Sequence, residues 1–486
     1  MIGRGPRSAR AVAVVAAVAT AAIATAACRR HRRHDDDGGG GAAAEADGPS
    51  VRIAAILRAL RGDDGHARDR ALRDFAHLVR RKVLTDAEGL AFVRAIPELP
   101  ALPDEDRDLQ REAFHTLDPE IRFVYLPAFD DIAAALRDDG RLALMELLGT
   151  TDHEKMATAF VAMLDRFPAL APSGTLAWLT EHPQQGPVLV PALLQRLDRP
   201  ALQYPILALT LAYLEHDAIT VDVLTDAFPA VAEVFDAQVA RAAAARGDRD
   251  GAWLFTGDYP ATRDLVIVSC KLLAWLPDGL VDGRLRQAVA LHDPLLATWG
   301  IAVRRQLGHR PDAAAVARAA LSLDARSNLY ASLGGDDDGG RDDRALMPAA
   351  TRTQEALAAS LLARYVAYRT DAGRLPDAIE PLARVEVDVG PPDGVLDTFV
   401  FRFRFADGPW LGGAAGPFLR SAEPTVQDFG GTFSDLEPVG ARTAAEIGAT
   451  ADLAERWRAY RADDDNDDGD GDGDGDGDAG AADDAP

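Results

Sequence analysis

Residues 199–217, RPALQYPILALTLAYLEHD, place apolar side chains at Leu202, Ile206, Leu207, Leu209, Leu211 and Leu214. Apolar residues three and four apart are the spacing of a helix. Here they leave little room for a polar face, and a helix so apolar must be covered on most sides. The same spacing extends in both directions, from Val51 to Thr370, and predicts helix after helix. The first of these fall near 51–61, 66–83, 86–96 and 105–117, and a long one runs from Gln354 to Thr370. Several starts carry a Thr followed three residues later by Glu or Gln, at Thr85/Glu88, Thr151/Glu154 and Thr351/Gln354. In such a capping box the hydroxyl and the longer side chain satisfy the free N–H groups of the first helical turn.

A short signature returns at helix ends: Leu176-Ala-Trp178-Leu, Leu211-Ala-Tyr213-Leu and Leu273-Ala-Trp275-Leu, 35 and then 62 residues apart. These separations are one and about two units of the two-helix repeats that build α-solenoids. On this signature the chain resembles a degenerate HEAT-like array. The resemblance implies a mainly α fold, an irregular α-solenoid of stacked helix pairs, in which each unit buries its apolar face only against neighbours.

Charge excludes one class of partner. The formal net charge is −25 over 486 residues; the last 24 residues hold twelve aspartates and no base, and residues 1–34 hold seven arginines and no acid. Without these two segments the body carries −20. Nucleic-acid affinity rests on Lys and Arg neutralising phosphates, so no nucleic acid is expected as a partner.

The N-terminus predicts an address. Arg4, Arg7 and Arg10 precede an apolar run, Ala11–Ala27, that ends at Thr25-Ala-Ala-Cys28. A basic start, an apolar stretch and small residues before a boundary form the pattern of a secretory signal. Small residues just before a cysteine resemble the lipobox of bacterial lipoproteins. That resemblance implies cleavage before Cys28, lipidation of its thiol, attachment to a membrane through the N-terminus and residence at the bacterial cell envelope, facing the periplasm or the surface. Thr25 departs from the usual leucine, and four arginines within residues 29–33 are unusual for a mature start. An uncleaved anchor is the alternative. Residues 29–50, rich in Asp, Gly and Ala, read as a flexible tether.

Candidate chemistry is sparse. There is no HExxH, GxSxG, CxxC or Walker A spacing. Cys270, within the apolar run Leu265–Leu273, reads as a small core hydrophobe. Asp152-His153-Glu154 offers three ligand types in a row, but adjacent helical residues point apart, and Glu154 fits a cap. His182 and His216 follow two of the aromatic signatures and read as exposed helix-end imidazoles beside a carboxylate; the alternative is that equivalent places in stacked repeats bring them together on one edge. Residues 334–344 read as a solvated Asp/Gly loop and Gly412-Gly413-x-x-Gly416 precedes no helix. In the tail, Asp464, Asn466 and Asp468 match the first half of a calcium loop without its closing glutamate, so the tail reads as a solubilising segment and no cofactor is expected, weak calcium binding being the alternative.

Past the helices the period changes. Asp397–Phe405, DTFVFRFRF, alternates Phe399, Phe401, Phe403 and Phe405 with polar residues and predicts a strand. Arg384–Asp388 reads as a second, and Trp410-Leu411 with Phe418-Leu419 as a return strand. The aromatic face is expected to pack on the Gln354 helix. The expected organisation is therefore a signal or anchor at 1–28, a tether at 29–50, a helical array at 51–349, a small C-terminal α+β cap at 350–460 and a disordered Asp/Gly tail at 461–486. The function expected of it is a non-catalytic, envelope-tethered scaffold that binds another envelope protein. The alternatives are an envelope hydrolase using paired carboxylates inside a helical toroid, and calcium-responsive adhesion through the tail.

Overall fold

The structure, a computed structural model, describes residues 50–419 except 103–107, 118–122, 151–153, 171, 184–185, 246–251, 335–341, 370–372, 391–393 and 407. Cys28, the tail positions Asp464, Asn466 and Asp468, the pair Asp152-His153 and the aspartates 336–338 lie outside the described residues. Among those described, no helix is long and apolar enough to cross a membrane.

The chain is mainly helical, with one small antiparallel sheet near its C-terminus. It divides into two compact units, and the division falls within three of the helices. The first unit begins with α1 (Val51–Arg61), α2 (Gly65–Arg80), α3 (Asp86–Ala95), α4 (Leu109–Leu117) and α5 (Leu126–Ala133). It continues through α6 (Asp138–Thr150), α7 (Glu154–Arg166), α8 (Ser173–Trp178), α9 (Gly186–Leu194) and α10 (Pro200–Glu215). These boundaries lie within a few residues of those the apolar spacing predicts. Each helix packs against the one two places further on, α1 on α3, α2 on α4, and so to α7 on α9 and α8 on α10. Odd and even helices thus form two rows of stacked helix pairs, and every row is bound by burial between neighbours.

Polar tethers repeat with the same step. Arg52 Nε donates to Glu88 at 2.7 Å, 36 residues away, and Arg137 Nε to Asp108 at 2.9 Å, 29 away. Arg166 reaches Asp130 at 2.9 Å over 36 residues, and Arg196 reaches Asp165 at 2.8 Å over 31. The aromatic signature acquires a physical meaning here. Tyr213, fully buried on α10, donates its hydroxyl to the carbonyls of Leu179 (2.8 Å) and His182 (3.0 Å), which close the preceding signature 34 and 31 residues upstream. The first two signatures are thus stacked on one another.

Caps decide where helices start. Thr85 and Glu88 form the predicted reciprocal capping box on α3. Thr351 does not cap: it lies in a short 3-10 turn and donates to the carbonyl of Pro348. Thr353 instead accepts the N–H of Ala356 and starts α17 (Gln354–Arg369).

Between α10 and α17 run α11 (Val221–Ala244), α12 (Tyr259–Leu273), α13 (Asp278–Val289), α14 (Pro294–Gln306), α15 (Ala313–Ala320) and α16 (Arg326–Leu333). In the second unit α14 packs on α15 and α16, and α16 on α17. The other face of α17 covers a three-stranded sheet in the order β1 (Ala378–Gly390), β2 (Gly394–Arg404), β3 (Leu411–Leu419). Phe399, Phe401 and Phe403 pack with Leu362, Val366 and Phe418 as the alternation requires, and Phe405 sits half-buried at the margin. β1 is longer than the predicted Arg384–Asp388 because β2 pairs with eleven of its thirteen residues, with register shifts after Pro381 and after Asp388. The glycines at 412, 413 and 416 belong to β3. A Cβ at Gly413 would stand 3.1 Å from Phe403, and Gly416 takes φ 127° beside a register shift, so both serve packing.

Candidate functional site

Three fully or almost fully buried charges of the second unit meet at one place. Arg263, on α12, is 3% exposed and lies between two fully buried carboxylates, Asp293 and Asp324. Its Nε donates to Asp293 Oδ2 at 2.8 Å, its Nη2 bonds both acids, and its Nη1 donates to the Tyr368 hydroxyl at 2.9 Å. The ring of Phe255 stands beneath the guanidinium at 5.5 Å.

The local sequence explains each position. Asp293 precedes Pro294 at the first position of α14, and its carboxylate accepts the N–H groups of Leu295 and Leu296. An aspartate cap followed by proline is a strong helix start. The same carboxylate also takes the Tyr259 hydroxyl at 3.0 Å. Asp324 lies just before α16, with Arg364 of α17 at 3.9 Å and Tyr368 at 3.4 Å. Arg364 in turn donates to Asn328 at 2.8 Å, while Ser360 donates to the carbonyl of Leu323 and accepts the N–H of Ser327. Side chains of α17 thereby fasten it to α12 and to the start of α16, and through Arg263 to the cap of α14.

Electrostatics makes this a closed arrangement. Burial by itself disfavours the Arg263 cation; Asp324 and then Asp293 more than reverse this and hold it charged. Burial, and then the negative charge of the neighbouring carboxylates, push the Tyr259 and Tyr368 hydroxyls up, so both stay protonated donors. Two carboxylates facing two guanidinium groups balance in charge. A working acid/base pair needs one acid raised, the other ionised, and room for a water between them. Here a guanidinium occupies that room and the Asp293 oxygens are saturated.

The other buried carboxylates among the described residues are held similarly. Glu88 is bound by Arg52, Ser50 and Thr85; Asp343 lies 3.4 Å from Arg305; Asp397 lies 2.5 Å from Arg384. Asp343 departs from the expectation of a solvated 334–344 loop, because it is buried, while Asp342 beside it is exposed.

The remaining sequence candidates separate. Cys270 is completely buried and burial pushes its thiol up to about 12, so it is a core residue and no nucleophile. His182 is half-buried with its ring 4.4 Å from Trp178, while His216 is exposed past α10. Glu154 is exposed at the first turn of α7. Sequence reading missed Arg263, Asp293 and Asp324. The one local signal was Asp293-Pro294; the partners stand 30 and 61 residues apart, and nothing local marks Asp324. No protein family, curated protein or solved structure matches the chain.

Proposed function

We propose that this chain is a non-catalytic interaction scaffold, held at the bacterial cell envelope by its N-terminal segment and offering its stacked helices to another envelope protein. One observation carries the reading: the buried carboxylates of the described residues are each paired with an arginine that ties one helix or strand to another. Their chemistry is cohesive. Buried acids held for structure leave recognition to the outer surfaces of the helix rows, where extended binding surfaces of repeat arrays lie. The anchor rests on the basic and apolar pattern before Cys28 and on the Asp/Gly-rich residues 29–50.

The test is cross-linking in intact cells, followed by capture of the tagged chain and mass spectrometry. A reproducible partner at comparable abundance, recovered with the membrane fraction, is the expected result. Capture of nothing beyond background from a normally expressed chain would sink the scaffold reading and turn attention to the envelope-hydrolase alternative, with envelope polymers screened as substrates.

A further inference from the structure

The body of this chain is acidic, yet its first two helices are not. Residues 51–82 hold nine Arg and Lys against four Asp. On α2 the buried residues Arg68, Ala71, Leu72, Phe75 and Val79 face inward, and His66, Arg70, Arg73, His77 and Arg80 follow one another at steps of four and three. That spacing is a single stripe along the opposite side, and all five residues are exposed. Arg81 extends it. Fourteen residues of helix make the stripe about 20 Å long. Arg70, Arg73, Arg80 and Arg81 have no ion-pair partner among the described residues, whereas the arginines that bridge helix pairs further along each hold one.

We infer that the α2 stripe is a docking surface for the anionic headgroups of a phospholipid bilayer. The inference rests on the membrane anchor of the proposed function. Position favours lipid over an acidic protein. Ser50 caps α1 at the twenty-second residue after Cys28, so α1 and α2 are the first described helices beyond the anchoring point of the proposed function. Basic segments beside a membrane insertion point are drawn to anionic lipid, and the rest of this body, at −25 once residues 51–82 are set aside, is repelled. Attraction at one helix and repulsion elsewhere orient the array, with α2 toward the bilayer and the later helices free for a partner.

The full chain is mixed with vesicles of phosphatidylcholine alone or of phosphatidylcholine with phosphatidylglycerol. Sedimentation reports the anchor; phenylglyoxal modification of individual arginines, read by mass spectrometry, reports the stripe. Reactivity of Arg70, Arg73 and Arg80 should fall at least about fivefold with the anionic vesicles only, recover in high salt, and leave Arg241 unchanged. In the exposed-residue variant Arg70→Glu/Arg73→Glu/Arg80→Glu the protection of Arg81, which extends the stripe, should also vanish. Equal protection by both vesicles, or none by either, overturns the inference. So does protection without vesicles that is lost on deleting residues 463–486, which would make the chain's own acidic tail the occupant. Failure to sediment with neutral vesicles removes the anchor; protection by anionic vesicles would then still support the stripe, and its absence would overturn it.

Discussion

Tyr213 binds one helix pair to the previous one through a single hydroxyl. Its removal in Tyr213→Phe leaves the Leu179 and His182 carbonyls short of a donor and should lower stability by about 1–2 kcal/mol in urea unfolding. Arg263 carries more. Arg263→Met strands two buried carboxylates, and breaking such a pair from one side costs about 3–5 kcal/mol, a loss calorimetry will register. Glu88 predicts a pH dependence. Arg52 chiefly, with Ser50 and Thr85, holds its carboxyl well below the ordinary range, against the opposing effect of burial. A depressed folded-state pKa stabilises fully above the unfolded value of about 4.3 and less with each step of acid below it. The stability gap between the parent chain and Glu88→Gln should therefore be widest near neutral pH and narrow as pH falls below about 4. These residues differ in how openly the sequence announces them. Glu88 stands three places after Thr85 in a pattern with one meaning, whereas Asp324 is one of many aspartates and gains its role only when Arg263, 61 residues away, folds against it.

Helices and strands were legible where their pattern is internal. Phe399, Phe401 and Phe403 alternate within β2, and their burial against α17 follows from the alternation alone. The extent of β1 depends on a partner strand, and so its ends were hidden. The start of α17 turned on which of two nearby threonines caps it. Thr351 is taken by the turn at Pro348, and Thr353 does the work of the cap. Thr353→Ala should cost about 1 kcal/mol, measured as a drop in melting temperature. Close approach between elements is likewise invisible in sequence. Gly89 on α3 lies against the buried Tyr125, where an added Cβ would stand 1.7 Å from the hydroxyl. Gly89→Ala forces that ring to move and should destabilise by about 1–3 kcal/mol, although alanine is the better helix former.

At the scale of the molecule, one contact was readable: the signatures at Leu176 and Leu211 recur 35 positions apart, and Tyr213 of the second bonds Leu179 of the first. The charge-bearing core was not, because it arises from pairings across helices. The proposed function turns on that core: as a scaffold, the chain uses its buried acids and arginines to hold helices together. The most direct test is a double-mutant cycle on Arg263→Met and Asp324→Asn, with unfolding free energies for the parent chain, both single variants and the pair. A structural tie predicts that each single variant is clearly destabilised and that the two couple by at least about 1 kcal/mol. An Asp324→Asn chain as stable as the parent, with no coupling to Arg263, would contradict the claim and mark Asp324 as an acid kept for another purpose.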